Sequence, residues 1–146
     1  MAALLDVNAL IALVDVDHVD HEPMQKWFKG NYAAGWATCP LTENGMVRVL
    51  SQPTYPSGQR TPAEVIEVLR ELRTAFVNSH EFWADEVSIT DQSLFEGALI
   101  AGARHVTDVY LLGLAAHRKG SLVSFDRSLA WRAVRGGSAG LVKRPG

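Results

Sequence analysis

Short apolar runs that end at a polar residue alternate along this chain with longer stretches in which apolar residues recur at helical spacing. The runs at 2–5, 35–39 and 121–124 predict short buried strands. A further short strand is expected within 82–89, and an edge strand at 140–142. The segments between these runs are long enough for a helix to follow most of the predicted strands.

The clearest helix signal is Thr61-Pro62-Ala63-Glu64, which combines an N-cap residue, a proline at the first helical position and a glutamate that can complete a capping box. An apolar stripe follows at Val65, Val68, Leu69, Leu72 and Phe76. The remaining signals predict a helix over 9–14 with Asn8 as N-cap, a helix from Met24 that ends at Gly30, a helix beginning at Pro40, a helix from Thr90 or Asp91 to Ala98, a helix from Thr107 as N-cap to Gly120, and a short helical segment over 128–134.

Strands that alternate with helices are typical of parallel βαβ units, so the pattern predicts an α/β fold with helices on both faces of the sheet. No repeat, linker or low-complexity segment interrupts the pattern, and we expect a single domain over 1–146. In such sheets the functional site lies beyond the carboxyl ends of the strands.

Composition narrows the class of protein. A chain of 146 residues with 47% hydrophobic and 21% charged residues is long enough to bury a core without a disulfide or a structural metal. The single cysteine, Cys39, excludes an internal disulfide and is interpreted as a small buried hydrophobe. The apolar N-terminal stretch is interrupted by Asp6, Asn8 and Asp15, unlike a signal peptide, and no run is long enough to span a membrane. We therefore expect a cytoplasmic protein.

The net charge of −2 conceals two oppositely charged regions. Residues 1–100 carry 6 basic and 14 acidic residues, whereas residues 101–146 carry 8 and 2. The two acids in the basic region are Asp108 and Asp126. They can be ion-pair partners of the surrounding bases, or they can hold a cation on which a polyanion then binds.

Four acidic residues fall where the predicted fold places a site. Asp6 and Asp126 follow strands, whereas Glu43 and Asp108 lie in first helical turns at the same edge of the sheet. Carboxylates brought close together repel one another unless a cation neutralises them, and Mg²⁺ or Mn²⁺ is the natural choice for oxygen ligands. Such a site can activate water and stabilise the leaving oxygen of a phosphodiester, which predicts metal-assisted phosphodiester hydrolysis.

The same residues carry a family resemblance. The segments Leu4-Leu5-Asp6-Val7-Asn8, Leu41-Thr42-Glu43-Asn44, His105-Val106-Thr107-Asp108 and Ser124-Phe125-Asp126-Arg127 resemble the four acidic motifs of PIN-domain nucleases, and of VapC ribonuclease toxins in particular. The resemblance covers nearly the whole chain. It implies a three-layer α/β/α PIN-like fold with a central, mostly parallel sheet.

The resemblance also implies roles for residues and partners. Asp6 and Asp108 would be the principal ligands of Mg²⁺ or Mn²⁺, and Glu43 and Asp126 would complete the acidic pocket. Asn8 and Thr107 match positions that the family uses to orient those carboxylates. The implied partners are an RNA substrate, a cognate antitoxin that blocks the site, and a second copy of the chain in a homodimer.

Simpler interpretations exist for most of these residues. Asp6 can be a strand-terminal N-cap, and Glu43 and Asp108 can merely complement helix dipoles. Asp91 follows a threonine as Asp108 does, but no long apolar helix and returning strand follow it, so we interpret Asp91 as a cap. The cluster of acids and histidines over 15–21 matches no firm ligand spacing and is interpreted as a solvated loop. His105 is interpreted as a structural or surface histidine, and the four tryptophans as core residues.

Two other functions remain open at this point. An aspartyl-phosphate phosphotransfer domain would need a second acid where this chain has Asn8, and a non-catalytic module would only bind RNA. If the protein cleaves RNA or only binds it, the candidate phosphate contacts are seven basic residues of the C-terminal region: Arg118, Lys119, Arg127, Arg132, Arg135, Lys143 and Arg144.

Overall fold

In a computed structural model, which describes all residues from Met1 to Gly146, five short strands form one sheet. The strands are β1 (Ala3–Leu5), β2 (Trp36–Thr38), β3 (His80–Phe82), β4 (Ser121–Val123) and β5 (Val142–Lys143). Their order across the sheet is β3-β2-β1-β4-β5, and every pair is parallel. Because all strands run the same way, their carboxyl ends share one edge of the sheet.

Five α-helices connect or flank these strands: α1 (Val7–Val14), α2 (His21–Asn31), α3 (Pro40–Leu50), α4 (Pro62–Ala75) and α5 (Val106–His117). Three-residue 3₁₀ turns occur at Tyr32–Ala34, Gly97–Leu99, Ala103–His105, Trp131–Ala133 and Ala139–Leu141. None of the helices combines the length and the apolar character that crossing a bilayer requires.

Two apolar clusters cover the two faces of the sheet. Neighbouring strand residues point to opposite faces, so Leu5 and Trp36 pack with helices α1 to α4 while Leu4 and Ala37 pack with α5. In the centre, Leu4 of β1 is in register with Ala37 of β2 and with Leu122 of β4. The expected three-layer α/β/α architecture is confirmed, and the sheet is entirely parallel.

Of the predicted helix N-caps, the one at Thr61 is confirmed and those at Asn8 and Thr107 are wrong. Helix α4 begins as predicted: the Thr61 hydroxyl accepts from the Glu64 amide at 3.1 Å, and the Glu64 carboxylate accepts from the Thr61 amide at 3.2 Å. The prediction of Asn8 as an N-cap was wrong, because α1 begins at Val7 and its N-cap is Asp6. The prediction of Thr107 was wrong in the same way, because α5 begins one residue before it.

The predicted helix from Thr90 or Asp91 to Ala98 does not form. The Asp91 carboxylate instead accepts from the amide and hydroxyl of Ser93, at 2.9 and 2.6 Å, which favours a turn over a helix. Phe95 then pairs with Val134 in an isolated antiparallel bridge and inserts against α5. Tertiary packing therefore overrides the weak helical pattern of this segment.

Several other helix and strand boundaries lie a few residues from their predicted positions. Gly30 lies inside α2 rather than ending it, since that helix continues to Asn31. The strand expected within 82–89 lies at His80–Phe82, and the edge strand expected at 140–142 lies at Val142–Lys143. The helical segment expected over 128–134 is only the 3₁₀ turn at Trp131–Ala133.

Candidate acidic site at the carboxyl edge of the sheet

Asp6 lies at the centre of the carboxyl edge, directly after β1. Its side chain is buried, with 4% of its surface exposed, and Oδ1 accepts from the Ala9 amide at 2.7 Å. Burial raises the pKa of Asp6 to about 6, against the lowering effect of the Ala9 amide and the Ser124 hydroxyl. The negative charges of Asp108 and Asp126 raise it further. Asp6 is thus a buried carboxylate held at a cost in solvation beside two other carboxylates.

Asp108 and Asp126 lie near Asp6, and their charges act on its carboxylate. Asp108 lies in the first turn of α5 and is half-buried; burial and the neighbouring Asp126 raise its pKa, while His105 opposes the rise. Asp126 follows β4, and Oδ1 accepts from the Ser128 hydroxyl at 2.6 Å and the Ser128 amide at 2.8 Å. These bonds to Ser128 hold the pKa of Asp126 below its ordinary value. Asp126 is therefore the member of the trio that ionises most readily.

Glu43 belongs to the same edge but is engaged differently. Its Oε2 atom accepts from the Thr38 hydroxyl at 2.7 Å and from Arg73 Nη1 at 3.1 Å. Thr38 ends β2 and Arg73 lies in the last turn of α4. Because both bonds use Oε2, the other carboxylate oxygen has no hydrogen-bond partner in the protein. The carboxylates whose charge raises the pKa of Asp6 are Asp108 and Asp126, whereas Glu43 is engaged with Thr38 and Arg73.

His80 continues this contact on the far side of Thr38. Its Nε2 lies 2.8 Å from Thr38 Oγ1, and since the Thr38 proton goes to Glu43, the imidazole is the donor. Burial and the nearby Arg73 lower the pKa of His80 to about 4, which keeps the ring neutral at pH 7. The result is a chain of hydrogen bonds from His80 through Thr38 to Glu43.

Positive charge lies next to Asp126. The charges of His105 and Arg104 both lower the pKa of Asp126, and Arg104 Nε lies 3.2 Å from His105 Nε2. His105 is buried, as expected for a structural histidine. Arg104 is exposed, so the acidic trio has a basic residue on its rim.

The donor set suits a hard divalent cation. Asp6, Asp108 and Asp126 offer carboxylate oxygens, and their mutual repulsion is what such a cation relieves. The structure contains no group of three or more His, Cys, Asp or Glu side chains arranged to hold a metal ion. Mg²⁺ does not need such a cage, since it usually binds through one or two carboxylates and keeps several waters. The residues present therefore fit Mg²⁺ or Mn²⁺.

The two residues expected to orient the carboxylates do not do so here. Asn8 and Thr107 are exposed, and neither side chain makes a hydrogen bond. The Ser124 hydroxyl takes that place: it lies beside Asp6 and also accepts from the Asp126 amide at 3.1 Å. Asp91, the interpreted cap, lies outside the trio and makes the same turn with Ser93 that Asp126 makes with Ser128.

The seven basic residues that the sequence offers as candidate phosphate contacts divide into two groups. Arg118 pairs with Glu86 at 2.6 Å and Arg135 pairs with Glu96 at 2.8 Å, so both are neutralised. The other five form no ion pair: Lys119, Arg127, Arg132, Lys143 and Arg144.

Several contacts of the site carry no local signal in the sequence. Arg73 and His80 lie 30 and 37 positions beyond Glu43 and reach it only through the fold. Thr38 and Ser124 could have been found, because Ser124 ends the strand predicted over 121–124 and Thr38 is the second-last residue of the strand predicted over 35–39, at the edge where the acids converge. Of the tryptophans, Trp36 and Trp83 are core residues as expected, and Cys39 is buried.

Comparisons with known proteins agree with this architecture. The family model described as PIN domain matches residues 3–135. Ribonuclease VapC44 of Mycobacterium tuberculosis (strain ATCC 25618 / H37Rv) is 47% identical over 136 residues, which cover 93% of this chain and 94% of that protein. Ribonuclease VapC38 of the same strain is 47% identical over 124 residues, 85% of this chain and 84% of the relative. Ribonuclease VapC39 is 42% identical over 143 residues, 98% and 99% of the two chains.

Proposed function

We propose a function from the premise that this chain belongs to the VapC family of PIN-domain proteins. In this proposal the chain is an endoribonuclease that depends on Mg²⁺ or Mn²⁺, and it is the toxin of a toxin–antitoxin pair. The observation that carries the proposal is the convergence of Asp6, Asp108 and Asp126 at the carboxyl edge of the sheet. Relatives named ribonucleases that match nearly the whole chain support the reaction class.

In this proposal Asp6 and Asp108 hold the metal ion, and Asp126 and Glu43 complete the site. The bound ion would activate a water molecule and stabilise the oxygen that leaves when the phosphodiester is cleaved. Asp6 is suited to this role because its backbone bond to Ala9 fixes the carboxylate, and because its buried charge is stabilised by a cation.

The other residues orient and screen the reacting groups. Ser128 holds Asp126 in its ionised form, and Ser124 lies between Asp126 and Asp6. Glu43 is anchored through Oε2, which leaves Oε1 to accept a hydrogen bond from an attacking water.

RNA is expected to enter over the basic rim. Arg104 lies near Asp126 in space, and Arg127 follows it in the sequence. Both arginines are exposed and form no ion pair. Contacts to phosphates would make affinity fall with salt concentration. A cognate antitoxin that blocks the site and a homodimeric assembly are parts of the same proposal, by family membership.

The test is cleavage of a mixed RNA substrate by the purified chain in millimolar Mg²⁺ and in EDTA. We expect new RNA ends only with the metal, and loss of at least about 100-fold in rate for Asp6→Asn and Asp108→Asn, because each removes a proposed metal ligand. The matched control is Asp91→Asn, since Asp91 makes the same local turn as Asp126 away from the site.

The outcomes separate cleanly. Cleavage by the Asp91→Asn protein together with none by Asp6→Asn supports the proposal. Undiminished cleavage by Asp6→Asn, or cleavage that persists in EDTA, overturns it. Growth arrest on expression in a host cell, relieved by co-expression of the open reading frame next to the gene, tests the toxin role separately.

A further inference from the structure

A groove of about 520 Å³ lies beside the acidic site, between α4 and the edge strand β3. Its walls are one face of α4 and the outward side chains of β3, and we call it the α4–β3 groove. Its lining includes Glu43, Arg70, Arg73, Thr74, His80 and Phe82. Glu43 thus belongs to both the groove and the carboxyl edge, so the groove continues the acidic site rather than forming a separate one.

Phe82 is the unusual residue of this groove. It ends β3 at the carboxyl edge, in register with Thr38, and 47% of its surface is exposed. The Arg73 guanidinium lies 5.1 Å from the ring centroid, where it covers part of the ring. An exposed phenyl ring that is backed by a cation on one side offers a rigid stacking surface on the other.

The charges in the groove favour a polyanion. Arg70 is exposed and its only acidic partner is Glu67, one helical turn away on the surface, which is a weak pairing. Arg73 is neutralised by Glu43, and His80 stays neutral. The groove therefore combines one loosely paired cation, a hydroxyl at Thr74 and an exposed aromatic ring, beside the apolar side chains of Ile66, Leu69 and Val77. A cation next to an exposed aromatic ring is the combination that binds single-stranded nucleic acids.

We propose that the α4–β3 groove is a nucleotide subsite for single-stranded RNA, in which an unpaired base stacks on Phe82 and a neighbouring phosphate lies against Arg70. This inference rests on the proposed ribonuclease function and extends it, because it assigns the nucleotide next to the cleaved bond to named side chains. The volume accommodates a base with its sugar. Stacking accepts any base, so the subsite adds affinity for unpaired RNA rather than for one sequence.

The experiment measures binding without cleavage. Fluorescence anisotropy with a labelled single-stranded oligoribonucleotide of mixed sequence, about ten nucleotides long, is recorded in EDTA. We expect Phe82→Ala and Phe82→Leu to weaken affinity about 5- to 100-fold, because neither side chain stacks, and Phe82→Trp to retain it. Arg70→Gln should weaken binding and lower the salt dependence by about one ion.

Two controls isolate the base. Lys29→Gln removes an exposed cation on α2, away from the groove, and should leave affinity nearly unchanged. An oligonucleotide of the same length with abasic residues should bind the wild type and Phe82→Leu equally. Since Phe82 is half-exposed, thermal melting should show that all Phe82 variants fold.

The result that overturns the subsite is equal affinity of wild type and Phe82→Leu for the normal oligonucleotide, or no binding of RNA by the wild type. A change in mass by light scattering in Phe82 variants, with RNA affinity unchanged, would assign the groove to self-association instead and also overturns it. Failure of the proposed function looks different: RNA would bind in a Phe82-dependent manner but remain uncleaved in Mg²⁺.

Discussion

Arg73 Nη1 lies 3.1 Å from Glu43 Oε2, and this ion pair ties the last turn of α4 to the first turn of α3. The same oxygen accepts from Thr38, so the carboxylate is held from a helix and from a strand at once. One oxygen of Glu43 is thereby fixed and the other left free. The position of Glu43 in the site thus depends on one neighbouring residue, Thr38, and on one that is 30 positions away, Arg73.

Removing the Thr38 hydroxyl should weaken this anchorage. Thr38→Val keeps the shape of the buried side chain but leaves Glu43 with Arg73 as its remaining donor and His80 without its acceptor. We expect a loss of about 1–3 kcal/mol in the free energy of unfolding, measured by urea denaturation, and slower RNA cleavage. Thr38→Ser retains the hydroxyl and should restore most of both. Equal stability of Thr38→Val and wild type would contradict the hydrogen-bond chain.

Asp6→Asn should stabilise the metal-free protein at neutral pH. Because the folded-state pKa of Asp6 is raised to about 6, the folded state favours the protonated form, and that advantage is lost as pH rises through about 6. Asparagine is neutral at every pH and keeps an oxygen for the Ala9 amide. We expect a gain of about 1–3 kcal/mol above pH 7 in EDTA, vanishing below about pH 4, from urea denaturation at each pH.

The comparison variant for that measurement is Asp6→Ala, which removes both the charge and the cap. Loss of an N-cap costs about 1 kcal/mol, so its gain should be smaller than that of Asp6→Asn. A pH-independent difference between Asp6→Asn and wild type would show that the carboxylate is not destabilised by its surroundings.

Tyr55→Phe should destabilise the loop that follows α3. The Tyr55 hydroxyl donates to the buried Asp15 carboxylate at 2.7 Å, and the Ser57 hydroxyl does so at 2.9 Å. Burial raises the pKa of Asp15, but these bonds outweigh it, so the pKa is lowered; the resulting stability is present above about pH 4 and lost as pH falls further. We expect a loss of about 1–3 kcal/mol at pH 7 by urea denaturation, and less near pH 3.

Tyr32→Phe is the matched control, because the Tyr32 hydroxyl makes no hydrogen bond and its ring packs among other aromatic rings. It should leave stability nearly unchanged. The burial of Tyr55 and its bond to Asp15 raise the pKa of Tyr55 to about 12, so wild-type stability should also fall between about pH 10 and 12. A Tyr55→Phe protein as stable as Tyr32→Phe at pH 7 would contradict the assignment.

Gly113→Ala should strain the packing of α5. A Cβ atom at this position would lie well inside van der Waals contact with the Phe95 ring, whose Cζ end approaches the helix. Overpacking of this kind costs about 1–3 kcal/mol, partly offset by the better helix propensity of alanine. Thermal melting should show a lower midpoint, recovered in part by the second substitution Phe95→Leu. The control is Gly97→Ala, where a Cβ meets no atom within 4 Å; a similar loss there would argue against a steric cause.

Local sequence patterns were sufficient to predict the α/β class and the capping box of α4. They also predicted where the four acids lie relative to the strand ends. Each of these features depends on neighbouring residues and on side-chain periodicity. Local patterns failed over 90–98, where Phe95 packs against α5 and local side-chain bonds favour turns. They also misplaced two N-caps by two residues each: the N-cap of α1 is Asp6, because β1 runs directly into α1, and the N-cap of α5 is His105.

The sequence by itself determined which carboxylates reach the edge of the sheet, because residue order along parallel strands and helix starts decides that. Only the tertiary structure decided how each acid is used. Burial and the charges of Asp108 and Asp126 raise the pKa of Asp6, whereas Arg73 and Thr38 anchor one carboxylate oxygen of Glu43. Apart from the bond between Thr38 and Glu43, these interactions join residues 30 or more positions apart, and both solvation and Coulomb energy depend on distance in space rather than along the chain.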